Sequence, residues 1–248
     1  MRALGVEDLS HHFGGLCALD EVCLDVEIGE RLVILGPNGA GKTTFFNLLT
    51  GIYPPTAGRI YLFEHDVTRV APHRRAQLGL GRTFQITTLF PHLSVLDSVL
   101  LAVQGRDPSR FTFVRPRGAL RHLYERAEKV LSDWGLLERR HAGTNQLSYG
   151  EQRQLELILA LAAEPRVLLL DEPTAGLSPA ETASVAAMIQ CFPREMTILL
   201  IEHDMDVALD LAERVTVFHG GRIIATGTPQ QIKQDPRVSE IYLGVDED

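Results

Sequence analysis

Apolar and polar positions alternate from Val22 to Ile28. Val22, Leu24, Val26 and Ile28 are apolar, with Cys23, Asp25 and Glu27 between them. A period of two predicts a strand with one buried face. After a Gly29-Glu30 turn, RLVILG (31–36) runs apolar without a break and ends in glycine, the pattern of a strand buried on both faces. TTFFNLLTG (43–51) reads as a helix stopped by Gly51. YPPTAG (53–58) is a turn, and RIYLF (59–63) a further strand.

From Pro91 the spacing changes. SVLDSVLLAVQG (94–105) and ALRHLYERAEKVLSDWG (119–135) have helical periodicity, with a Pro- and Arg-rich loop between them. Strand and helix patterns then alternate again: VLLL (167–170), PAETASVAAMIQ (179–190), MTILLIE (196–202), DMDVALDLAE (204–213) and RVTVFHG (214–220). The pattern predicts an α/β core interrupted by a helical insert over approximately 89–146. No tandem repeat or low-complexity segment is visible.

Composition narrows the classes. The 248 residues suit one large domain or two joined lobes, and 45% hydrophobic residues are the share of a globular core. A net charge of −8 argues against general nucleic-acid binding. Cys17, Cys23 and Cys191 form no CxxC pair and are expected to be reduced packing residues. MRALGVEDLS lacks the apolar stretch of a signal peptide. The longest apolar run, 157–163, is far short of the ~18 residues of a membrane span. A membrane role is therefore expected only through a partner.

The chemistry concentrates at strand ends. GPNGAGKT (36–43) matches G-x-x-x-x-G-K-[ST] after a buried strand and before a helix. Its glycines let backbone N–H groups turn toward phosphates, and the helix start adds positive partial charge. Lys42 is expected to reach the β/γ-phosphates and the Thr43 hydroxyl to bind Mg²⁺. RVLLLDEP (166–173) delivers Asp171 and Glu172 to the carboxyl end of a strand, where α/β sheets bind ligands. Asp171 fits the Mg²⁺ shell through water, and Glu172 a general base that orients the attacking water. His203, just after MTILLIE, is the histidine placed to reach the γ-phosphate. Gln85, in GRTFQ, ends a short β-like run; its amide could touch Mg²⁺ or its water, and a plain loop glutamine is the competing reading.

Taken in order, GPNGAGKTT (36–44), RTFQ (82–85), LSYGEQ (147–152), VLLLDEP (167–173) and IEHDM (201–205) resemble the five motifs of ATP-binding-cassette (ABC) ATPases across nearly the whole chain. The resemblance implies an α/β P-loop NTPase fold: a mostly parallel sheet, an antiparallel β-rich N-terminal part and an inserted α-helical subdomain. It implies one ABC ATPase domain over 1–248, with the core over approximately 1–88 and 147–248 and the helical subdomain over approximately 89–146. ATP and Mg²⁺ are the implied ligands. Gly36, Pro37, Asn38, Gly39, Ala40, Gly41, Lys42, Thr43 and Thr44 cradle the phosphates. Glu172, His203, Lys42 and Gln85 serve hydrolysis, and Thr43, Gln85 and Asp171 hold the metal. Phe13, in HHFGGLCALD, falls where the family stacks an aromatic on adenine, although from the residues alone it could equally be core. The resemblance further implies head-to-tail pairing with a second ATPase subunit, identical or not. Ser148, Tyr149, Gly150 and Glu151 then act in trans as an anion-binding helix start on the partner's nucleotide.

Two positions depart from the family. Ser178 stands where it usually has Asp, in TAGLSPAE (174–181); with Pro179 and Glu181 it predicts a helix N-cap, an N1 proline and a capping box. Leu159 stands where an Arg is frequent.

HHFGGLCALDEVCL (11–24), GRTFQITTLFPHLSVLDSVLLAV (81–103), LSYGEQRQLELILALA (147–162), AGLSPAE (175–181) and EIYLG (240–244) are similar to ATPase subunits of branched-chain amino acid importers. That likeness implies two permease subunits, a periplasmic binding protein acting indirectly, and a place at the cytoplasmic face of the inner membrane. ATPases of urea or amide importers and of lipopolysaccharide export stay open as alternatives. Soluble ABC proteins are disfavoured: there is one cassette, and the insert carries no sustained heptads. Arg106, Arg110, Arg115, Arg117, Arg121 and Arg126 form either a solvated face or a surface for a partner or anionic headgroups.

Overall fold

Strands β1 (Arg2–Phe13) and β2 (Leu16–Glu27) pair antiparallel, with β4 (Ala57–Leu62) on the other side of β1 and β5 (His65–Asp66) at the edge. The computed structural model describes residues 1–83, 89–106 and 121–243, without the side chains of Arg106, Tyr242 and Leu243. The expected alternation holds along β2: Val22, Leu24 and Val26 are buried, and Cys23, Asp25 and Glu27 are exposed. It stops before Ile28, which is 41% exposed. The cysteines are unpaired, in line with the expected reduced thiols, but they are not the expected packing residues. All three are exposed free thiols, and Cys23 faces solvent because its neighbours Val22 and Leu24 take the buried face.

A second sheet has the order β10-β9-β3-β8-β7-β6. Strands β3 (Arg31–Leu35), β6 (Leu80–Arg82), β7 (Val167–Asp171), β8 (Thr197–Ile201) and β9 (Arg214–His219) run parallel, and β10 (Arg222–Gly227) closes one edge antiparallel. Every position of β3, β7 and β8 is buried, which is why their sequences run apolar rather than alternating. Each Val, Leu or Ile there contributes roughly 1.5–3 kcal/mol by leaving water. The register pairs Ile201 with both Ile34 and Asp171. The carboxyl ends of these three central strands therefore stand level.

Helix α1 (Lys42–Thr50) follows β3 and stops at Gly51, at φ 79°. Its end is held by Arg75 of α2 (Pro72–Gln77), a 1% exposed residue. Arg75 Nη1 donates to the carbonyls of Leu48 and Leu49 at 2.7 Å each; Nε donates to Val70 O at 2.8 Å and Nη2 to Thr68 O at 3.1 Å. Burial pushes this guanidinium down to about 10. The last carbonyls of α1, with their negative partial charge, thus face a buried cation. Helices α7 (Met205–Leu211), α8 (Pro229–Lys233) and α9 (Pro236–Leu243) complete the helices near the carboxyl terminus.

The chain divides into two compact units: 1–82 with 166–172 and the residues from Ile189 onward, and 83–165 with 173–188. Both sheets belong to the first. The second holds α3 (Val95–Arg106), α4 (Arg121–Asp133), α5 (Tyr149–Ala162) and most of α6 (Pro179–Gln190). Its core is built at helical spacing from Val95, Val99 and Val103, from Leu123, Ala127 and Leu131, and from Leu155, Ile158 and Ala162. Leu159 packs partly buried against it. Among the described residues no helix is long and apolar enough to cross a membrane.

Candidate functional site

In the first unit, the loop after β3 turns on three glycines, Gly36 (φ 150°), Gly39 (φ 80°) and Gly41 (φ 100°). A Cβ on Gly36 would lie 2.3 Å from Phe218 O, and one on Gly41 2.6 Å from Ala18 O. No larger residue fits without moving backbone. Lys42 opens α1 and is 5% exposed. Its ammonium donates to Gly36 O and, at 3.0 Å, to Pro37 O. Burial lowers its pKa, while the charges of Glu172 and Asp171 raise it. The loop thus presents glycine-permitted turns, a helix start and a buried cation, a combination suited to a polyanion.

Asp171 ends β7, 1% exposed. Desolvation raises its pKa, and the hydrogen bond from Arg82 opposes that shift. Glu172 follows at φ 47°, with its amide donating to Ile201 O at 3.0 Å. A left-handed backbone at a residue with a side chain costs of order 1–3 kcal/mol. At the end of β8, Glu202 is fully buried and His203 is 56% exposed. The His203 amide donates to Glu202 Oε2 at 3.3 Å, and His203 Nδ1 lies 3.8 Å from the same oxygen. Asp204 then caps α7, its Oδ1 accepting from the amides of Asp206 and Val207 at 2.9 and 3.1 Å. The level strand ends bring the Gly36–Thr44 loop, Asp171-Glu172 and His203 to one edge of the sheet.

Phe13 lies at the tip of the β1–β2 hairpin and is 44% exposed, which excludes a core role. Its ring meets His11 edge-on at 4.5 Å and Tyr53 at 5.5 Å, and His11 stacks on Tyr53 at 5.7 Å. Gln85 lies outside the described residues, as do Arg110, Arg115 and Arg117. Arg121 and Arg126 pair with Glu125 and Glu164.

In the second unit, Ser148 caps α5 in a reciprocal capping box: its Oγ accepts from the Glu151 amide at 3.2 Å, and its own amide donates to Glu151 Oε2 at 2.8 Å. Arg139 Nε donates to Glu151 Oε1 at 2.9 Å, and this bond holds the Glu151 carboxyl below the usual carboxylate range. Tyr149 is half-exposed, and its hydroxyl donates to Ala175 O at 3.3 Å. Ser148, Gly150, Glu151 and Glu181 line part of a cavity of about 210 Å³. Ser178 forms the expected cap of α6, with its amide and hydroxyl donating to Glu181 Oε2 at 3.0 and 2.7 Å.

Arg82 lies within RTFQ and Glu202 within IEHDM, but the motifs say nothing of their contacts with Asp171 and His203, nor of Glu181 as a neighbour of Gly150. The first two carried a signal, a charged residue at the end of an otherwise apolar strand. For Glu181 the sequence spoke only of α6.

A family model described as ABC transporter matches residues 19–175, and one described as branched-chain amino acid ATP-binding cassette transporter matches residues 222–248. The high-affinity branched-chain amino acid transport ATP-binding protein BraF of Pseudomonas aeruginosa is 39% identical over 248 residues, covering 97% of each chain. LivG of Escherichia coli, named for the same transport, is 38% identical with the same coverage. An ATP-binding cassette of an ABC transporter solved in its ADP conformation superposes with a TM-score of 0.86 at 30% identity, covering 98% of this chain and 99% of that one.

Proposed function

This chain belongs to the ABC transporter family, and from that premise we propose that it is the ATP-hydrolysing subunit of an importer for branched-chain amino acids. The observation that carries the catalytic reading is the register that sets the phosphate loop, Asp171-Glu172 and His203 at one sheet edge. The amides of 36–44 and the Lys42 ammonium bind the β- and γ-phosphates; a phosphate gives the ammonium a stronger acceptor than the carbonyls it now faces. The Thr43 hydroxyl and Asp171 carboxylate are hard oxygen donors, and a buried carboxylate next to a phosphate loop fits Mg²⁺, which takes few protein ligands and completes its shell with phosphate and water. Bound there, Mg²⁺ would offset charge on the phosphates. Glu172 accepts the proton of the attacking water, His203 contacts the γ-phosphate side, and Gln85 serves the metal or its water. Phe13 supports the adenine.

A second ATPase subunit supplies Ser148, Tyr149, Gly150 and Glu151 to the nucleotide, so ATP joins two subunits and hydrolysis separates them. Permease subunits place the pair at the cytoplasmic face of the membrane, and a periplasmic binding protein delivers the solute. The solute class rests on the C-terminal family match and on the likeness to BraF and LivG. Two measurements test the proposal. Glu172→Gln should keep ATP affinity while steady-state hydrolysis falls roughly 100-fold or more. Vesicles carrying the chain, its partner ATPase subunit and the permease, with ATP enclosed on the side of the ATPases and the binding protein supplied on the other, should take up leucine, isoleucine or valine. Undiminished hydrolysis sinks the assignment of Glu172, and uptake of another solute class sinks that of the cargo.

A further inference from the structure

Arg82 ends the short edge strand β6 with its side chain only 6% exposed. Its guanidinium is forked between two elements. Nη2 donates to Asp171 Oδ2 at 2.8 Å, and Nη1 donates to Asn47 Oδ1 at 2.7 Å and to Thr50 Oγ1 at 3.4 Å. The guanidinium carbon lies 5.6 Å from the centroid of the Phe46 ring. Asn47, Thr50 and Phe46 all belong to α1, the helix that begins with Lys42 and Thr43. One side chain therefore ties the carboxylate that ends β7 to the helix that carries the phosphate-loop lysine and threonine.

The energetics favour a directed role over general packing. A carboxylate as buried as Asp171 loses several kcal/mol of hydration and needs a compensating cation. Lys42 is engaged with the carbonyls of Gly36 and Pro37, so Arg82 supplies the direct ion pair. A lysine would supply the charge but not the planar fork that reaches a carboxylate and an amide oxygen at once.

We propose that Arg82 is a positioning residue for the metal site: by clamping Asp171 to Asn47 it fixes the Asp171 carboxylate relative to Thr43, and so sets the affinity for Mg²⁺ once nucleotide is bound. This rests on the reading of Asp171 and Thr43 as the metal-binding residues. In this role Arg82 acts through Asp171.

The test is calorimetric binding of ADP to the purified chain, in EDTA and then with Mg²⁺, for wild type, Arg82→Met, Asp171→Asn and the double variant. In Arg82→Met the ADP affinity in EDTA stays within about threefold of wild type, while the tightening produced by Mg²⁺ falls about tenfold or more, the size seen when a residue orienting a metal ligand is lost. Asp171→Asn loses the same tightening, and the double variant is no worse than Asp171→Asn alone. If Arg82→Met keeps or increases the tightening that Asp171→Asn loses, Arg82 is a bystander or a competitor of the metal and the proposal is overturned. If Arg82→Met weakens binding in EDTA as much as with Mg²⁺, the clamp serves the phosphate loop as a whole, which also overturns it. If Asp171→Asn keeps the tightening, the metal reading itself fails. Should Arg82→Met not fold, Arg82→Lys is read in the same way, with the lysine, whose ammonium lacks the planar fork, expected to lose part of the tightening.

Discussion

Glu181 stands over Gly150. A methyl group on Gly150 would lie 2.5 Å from Glu181 Oε1, and the Gly150 amide donates to that carboxylate. The same Glu181 closes the cap on Ser178, so one carboxylate links the starts of α5 and α6 within the second unit. Gly150→Ala therefore pulls in two directions. Alanine in a helix is favoured by about 1 kcal/mol over glycine. Against this, the end of the Glu181 side chain must swing away and give up its bonds to Ser178. We expect thermal stability close to wild type and, on the proposed reading of the α5 start as a phosphate contact, ATP hydrolysis reduced roughly 100-fold. Wild-type turnover would show that nothing needs to come close to Gly150.

Acid should loosen the second unit through Glu151. Its pKa is depressed, chiefly by Arg139 and then by the Ser148 amide. A depressed carboxylate contributes stability that is present above the usual carboxylate pKa and is lost as pH falls through the folded value. Asp171 has the opposite sign: its raised pKa means that protonation relieves a cost. The useful measurement is thus the difference between wild type and Glu151→Gln in urea midpoints from neutral pH to below the carboxylate range. The stability advantage of wild type should shrink as pH drops. A difference independent of pH would remove the charge of Glu151 from the account.

Arg75 offers a stability test that alters none of the strand-end residues themselves. Its guanidinium meets four carbonyls and is buried. Arg75→Met keeps most of the volume but leaves those carbonyls without their donor, including the last ones of α1. We expect a loss of about 3 kcal/mol in urea unfolding. A loss below about 1 kcal/mol would mean that water replaces the guanidinium at little cost.

Much of this was legible in the sequence, for identifiable reasons. β3, β7 and β8 are continuous apolar runs because they are central strands, and Asp171, Glu172 and His203 stand out because each follows such a run. Gly51 and Ser178 signalled helix ends because a missing Cβ permits the left-handed turn at the one and a capping hydroxyl marks the start at the other. β1 was less legible: RALGVEDLSHHF has buried Ala3, Leu4 and Val6 but also two exposed acids in succession, and register shifts within its pairing break the period of two. The two-residue β5 is too short to carry a period. Arg82 and Glu181 matter through long-range partners, Asp171 eighty-nine positions away and Gly150 across two helix starts, and no local pattern encodes such contacts.

The shared-site reading makes the sharpest prediction. If ATP lies between the phosphate loop of one subunit and the α5 start of another, hydrolysis ends the pairing, and removing the base should trap it. Glu172→Gln keeps the shape of the side chain but cannot take a proton, so ATP should hold two chains together long enough for light scattering to register a dimer. Adding Ser148→Arg places bulk and charge at the α5 start and removes the cap that satisfies the Glu151 amide. That double variant should bind ATP through its own Lys42 and Thr43 and stay monomeric. Lys42→Ala should lose the nucleotide itself. The separation of the two effects decides the matter, because the residues belong to different compact units of the chain. Ser148→Arg must abolish pairing while leaving nucleotide affinity of the isolated chain intact. If it weakens that affinity as much as Lys42→Ala does, the α5 start serves the nucleotide of its own chain and pairing through ATP is wrong. Repeating the Glu172→Gln measurement with the permease present guards against weak pairing of isolated subunits, since a membrane partner that binds both copies raises their effective concentration without any new contact between them.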